Sequence, residues 1–132
     1  MYKITTLLVL LLFAFETKSK NFFIYSIDHQ LTTGKTGTNE TPKKNFYLNI
    51  GTLHGVEEGT ILDVKRKVSK NNKFLNNKEH TFHIKVGRLK VIQANENSSI
   101  AIDDNSFSND DERPFVEYQS VMLGDEVSIP ID

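Results

Sequence analysis

The chain has 132 residues, enough for one compact domain after any leader and too few for two. Its apolar content of 38%, charged content of 25% and formal net charge of −1 are those of a globular protein, without the basic field of a nucleic-acid binder or the charge excess of a disordered chain. There is no cysteine, which excludes disulfides, thiolate metal sites and a lipid-modified cysteine.

Residues 1–19 read as a secretory signal peptide. Lys3 gives a positive start, and Leu7 to Phe15 is an unbroken apolar run. Nine residues rise only about 14 Å as a helix, well short of a hydrocarbon core. The reading is export without a stable membrane span after cleavage. Residues 20–44 then give a strand and a polar loop. In Asn21 to Gln30, Phe23, Tyr25 and Ile27 alternate with Phe22, Ile24 and Ser26, and aromatic and β-branched residues favour extended chain. Leu31 to Lys44, with Gly34, Gly37 and Pro42, is a loop.

Residues 45–132 are read as the main domain, organised on Phe46 to Arg66. Phe46, Leu48 and Ile50 alternate with polar neighbours, and so do Leu62 and Val64. Gly51, Gly55 and Gly59 lie between them, so the two runs are expected to form a hairpin-like unit about a sharp turn. Val68 to Thr81, with four Asn and four Lys or Glu residues, reads as a long hairpin tip carrying Phe74 and Leu75. Thr81 to Gln93 is the longest strand candidate. Its apolar residues are even-numbered up to Val86 and odd-numbered from Leu89, which demands an extra residue near Gly87 and Arg88, a β-bulge. Ile100 and Ile102 mark a short strand, Asp103 to Glu112 an acidic loop, and Gly124-Asp125 a turn. Glu126 to Ile131 is a last strand, put at a sheet edge by Pro130. With no helical periodicity, the fold expected is all-β: a small barrel or sandwich of five to seven mostly antiparallel strands.

Three pieces, FYLNIGTLHGVEEGTILDV, VGRLKVIQANENSSIAI and MLGDEV, resemble the C-terminal β-domain of the flagellar assembly protein T family. They are also similar to related exported envelope domains, including parts of the rod-shape protein MreC. The resemblance spans roughly Phe46 to Ser128 and rests on turn chemistry at Gly51, Gly55, Gly59, Gly87, Gly124 and Asp125. It implies a non-enzymatic β-barrel module that docks protein partners in a bacterial envelope assembly, located in the periplasm of a Gram-negative cell.

No residue pattern points to catalysis, a cofactor or a metal. Gly34-Lys35-Thr36 lacks the earlier glycine of a phosphate loop, since position 29 is His. His80 and His83 fall on opposite faces of a strand, and the acidic loop lacks the spacing of a calcium site. The expected contact surface is the basic arm Lys65, Arg66 and Lys67 with Phe74 and Leu75 as apolar anchors, or an open edge near Pro130. Nucleic acid is not expected, because few aromatics accompany the lysines. The alternative is a periplasmic ligand-binding module that takes a small molecule or glycan in the barrel mouth, with Tyr25, Tyr47 or Tyr118 as stacking groups.

Overall fold

The structure is a computed structural model and describes residues 20–30, 42–104, 114 and 120–131. The leader, Gly34-Lys35-Thr36, most of the acidic loop and Tyr118 lie outside the described residues. The rest is all-β, as expected. The strands are β1 (Phe22–His29), β2 (Lys44–Leu48), β3 (Ile61–Asn72), β4 (Lys78–Ala94), β5 (Ser99–Asp103) and β6 (Glu126–Ser128), with one 3-10 turn at Thr52–His54. They close into an antiparallel barrel in the order β1-β2-β5-β4-β3-β6.

Each strand sends apolar side chains inward: Ile24 from β1, Phe46 and Leu48 from β2, Leu62 and Val64 from β3, Val86, Leu89 and Val91 from β4, Ala101 from β5 and Val127 from β6. All are almost fully buried, so the barrel encloses packed side chains.

The predicted bulge is present. Val64 pairs with Gly87 and Lys65 with Lys85, leaving Val86 as the extra residue. Val86 and Gly87 are therefore both buried, and the inward face passes from even to odd positions. Two further bulges carry no glycine to announce them. In β1 the register shifts between Ile24 and Ser26, so Phe23, Tyr25 and Ile27 do not share one face. In β4 it shifts between Val91 and Gln93.

The hairpin expected over Phe46 to Arg66 is corrected by the topology. Strand β2 pairs with β1 and β5, whereas β3 pairs with β4 and β6. Residues 49–60 cross that end of the barrel over β5 and β4, and the crossing inserts Ile50 and Val56 into the core. Thr52 and Leu53 donate backbone hydrogen bonds to the carbonyls of Asn95 and Glu96. At Gly51 a Cβ would collide with those same carbonyls, so glycine is required there for close approach, with the backbone itself extended.

Two other boundaries move. Strand β1, assigned from sequence to a separate segment 20–44, is a member of the ring and pairs with both β2 and β6. Strand β6 ends at Ser128 and is paired on both sides, so Pro130 lies beyond it and marks no open edge there.

Candidate functional site

The long hairpin tip predicted for Val68 to Thr81 is mostly strand. Strand β3 is paired with β6 only over Asp63–Lys65, and β4 with β5 only from Leu89 onward. Beyond those points β3 and β4 pair with each other alone, out to Asn72 and Lys78. A two-stranded ribbon thus leaves the barrel and reaches about 20 Å at roughly 3.3 Å per residue. Neither of its outer edges pairs with another described strand.

The base of the ribbon is fixed by ion pairs. Arg66 donates from Nε to Asp125 Oδ1 at 2.9 Å and from Nη2 to Oδ2 at 2.8 Å. Arg66 Nη2 also donates to the Ser120 carbonyl at 2.7 Å, and the Met122 N–H donates to Asp125 Oδ2 at 2.8 Å. Asp125 is only 4% exposed and Arg66 15%. The Asp125 hydrogen bond raises the Arg66 pKa further, so the guanidinium stays charged. On the outer face, Asp63 accepts from Arg88 at 3.0 Å and faces Lys85 at 2.9 Å, while His83 lies 3.7 Å from Glu126.

Further out the ion pairs stop. Lys67, Lys70, Lys73 and Lys78 have no ion-pair partner among the described residues, and Glu79 is the lone acid among them. The register puts Val68 opposite Phe82 and Lys70 opposite His80 on one face. Lys70, Lys73, Phe74, His80 and Phe82 line an open groove of about 420 Å³ there. His80 Nε2 is buried in this region and has no hydrogen-bond partner among the described residues. Phe82 is 54% exposed, Leu75 57% and Phe74 97%.

The sequence-predicted residues are therefore divided. Lys67, Phe74 and Leu75 stand on the ribbon in solvent, whereas Arg66 is committed to Asp125. Lys65 is half-buried beside Glu126, its cross-strand neighbour. Gly55, Gly59 and Gly124 adopt left-handed φ values of 84°, 88° and 86°. A Cβ on Gly87 would press on Val121, which packs against the core. The sequence reading placed Phe82 with Phe74 on the basic arm and missed His80 as their companion. Alternation through Phe82 and Ile84, carried back across to Val68, was the available signal.

Tyr25 and Tyr47 lie beside the turn between β4 and β5, at Asn95 and Ser98. They flank a depression of about 210 Å³ with Ser98 and Ile100, their rings 6.3 Å apart. Tyr25 is hydrogen-bonded to Ser98 Oγ at 2.8 Å. Tyr47 donates to Asp28 at 2.9 Å, and this bond to a carboxylate raises the Tyr47 pKa. Among the described residues no three His, Asp or Glu side chains gather at metal-binding distance, and no helix is long and apolar enough to cross a membrane. No protein-family model and no curated protein matches the chain.

Proposed function

We propose that the chain is a non-enzymatic docking module of an exported bacterial envelope assembly, in which the barrel is the mount and the β3–β4 ribbon holds a protein partner. The observation that carries this reading is the stem of the ribbon, Lys67–Asn72 with Glu79–His83. It has open backbone edges on both sides, and its Lys67 and Lys70 have no ion-pair partner among the described residues. Unpaired strand edges accept an added strand, which contributes main-chain hydrogen bonds without a preformed pocket. Lysines along such an edge repel a second copy of the same edge and favour an acidic partner strand. The turn motifs that resemble the flagellar and rod-shape envelope domains support placement in an envelope assembly.

The test is photo-crosslinking in the native host from Ser69 or Asn71, with Glu57 on the barrel as control. Envelope proteins recovered from the stem positions and absent from the control are expected. Equal yields from Glu57, or no protein from the stem, would remove the ribbon from this role.

The ligand-binding alternative would use a surface depression, since the barrel interior is packed with side chains. Open depressions for a small molecule lie at Tyr25 and Tyr47, about 210 Å³, and at Phe22, Ile50, His54, His83 and Glu126, about 510 Å³.

A further inference from the structure

The tip of the ribbon is built to hold its shape. Leu75 N–H donates to the Asn72 carbonyl at 3.2 Å, Lys78 N–H to the Leu75 carbonyl at 2.9 Å, and Phe74 N–H to Asn72 Oδ1 at 3.0 Å. Asn76 and Asn77 take left-handed φ values of 49° and 56°, which asparagine tolerates better than most residues. A tip closed this way could be polar throughout. Instead its ordered turn presents two adjacent apolar side chains, with Phe74 97% exposed. A Phe that exposed buries almost nothing on folding, and with Leu75 beside it and Phe82 further down the ribbon it belongs to an exposed apolar group.

The surroundings narrow what could cover it. Phe74 and Leu75 stand at the far end of the ribbon, Phe74 at the outer border of the open groove, so a rigid protein surface would need a matching pocket, whereas a bilayer interface deforms around them. Lys73 and Lys78 flank the tip and Lys70 lies two strand positions behind it, all without an ion-pair partner among the described residues, with Glu79 the lone acid between them. A basic collar behind an apolar wedge complements an anionic leaflet: the ring and the branched chain enter the headgroup boundary, and the ammonium groups stay in water with the phosphates. Each lysine near such a surface strengthens partitioning about fivefold, so three lysines and two apolar side chains give reversible attachment and no insertion of the barrel.

We propose that the tip Lys73–Lys78 seats on the surface of an anionic lipid bilayer through Phe74 and Leu75. This goes beyond protein docking at the stem and uses the tip of the ribbon, with Lys70 the one residue common to both. A protein touching the bilayer at one end of its ribbon and a partner strand along the other would position that partner at a fixed height above the membrane.

The chain has no tryptophan, so Phe74→Trp gives a single reporter at the tip. The probes are vesicles of phosphatidylethanolamine with phosphatidylglycerol, against vesicles of phosphatidylcholine alone. The expected result is a blue-shifted emission with the anionic vesicles that weakens as salt is added. Leu75→Ser in the same background should reduce the shift, and each of Lys70→Gln, Lys73→Gln and Lys78→Gln should lower the partition coefficient about fivefold. Wild-type protein should co-sediment with the same vesicles more than Phe74→Ser does. An unshifted emission, an equal shift with neutral vesicles, or a shift elicited only by an acidic polypeptide or a single-stranded oligonucleotide would overturn the proposal. Crosslinking from the stem would be unaffected by any of these results.

Discussion

Arg66 and Asp125 lie 59 positions apart in the chain and meet in a two-pronged ion pair at the root of the ribbon. The carboxylate also accepts the Met122 N–H, so one buried acid ties β3 to the turn that leads into β6. A buried ion pair is not strongly stabilising against an apolar substitute, but losing one partner strands the other. Arg66→Met leaves Asp125 without its cation and is expected to cost about 3 kcal/mol in urea unfolding, read as a lower midpoint at unchanged slope. Arg66→Lys, which cannot span both oxygens, should recover only part of that loss. If Arg66→Met instead leaves the midpoint in place and weakens partner recovery, the guanidinium belongs to the contact surface after all.

Two glycines of the crossing segment should respond very differently to alanine. At Gly51 the added Cβ meets the Asn95 and Glu96 backbone carbonyls, which cannot move without losing the hydrogen bonds from Thr52 and Leu53. Gly51→Ala is expected to cost about 3 kcal/mol or more. At Gly55 the nearest atom is the Ile129 Cδ1 at 3.9 Å, so the penalty is the left-handed backbone alone, about 1–2 kcal/mol. Thermal midpoints of the two variants, measured side by side, should fall in that order. A reversed order would mean that the crossing does not rest on the turn after β4.

The contrast between those glycines shows where sequence reading ends. Spacing by four marked Gly51, Gly55 and Gly59 as one turn, yet Gly51 is extended and serves close packing. Alternation at Phe46 to Ile50 and at Leu62 to Val64 correctly gave the inward faces, but a strand's face does not name its neighbour. Strands β2 and β3 are separated in the ring by β5 and β4, which no local pattern encodes. The bulge at Val86 was legible because the apolar parity changes there. The one at Tyr25 was not, since FFIYSI is apolar on both parities. Arg66 looked like one of three surface cations because charge alone does not reveal an acid 59 positions away. The ribbon looked like a loop for a related reason. A two-stranded ribbon that projects into solvent buries little on either face, so it leaves no hydrophobic period to detect.

A pH experiment probes the rim of the barrel. Partial burial pushes the Asp103 carboxyl above its ordinary value of 3.8, with the charge of Lys44 opposing. The folded chain therefore holds this proton more tightly than the unfolded chain does. Below the ordinary value both states are protonated and the group contributes nothing. Above the raised value both are ionised, and the folded state bears the desolvation cost. Asp103→Asn should accordingly raise the thermal midpoint slightly near neutral pH and leave it unchanged in acid. A midpoint lowered at neutral pH would show that the attraction of Lys44 outweighs burial.

The most direct test of the division between mount and working part is removal of the ribbon. Replacing residues 69–81 with Asn-Gly should close a two-residue hairpin between Val68 and Phe82, which are cross-strand partners. None of the buried core residues lies in the excised stretch. The account predicts a shortened protein that unfolds cooperatively near the wild-type midpoint and, in chemical crosslinking in its host, no longer recovers the wild-type partners. A shortened protein that folds and still recovers the same partners would place the contact on the barrel wall and contradict the account.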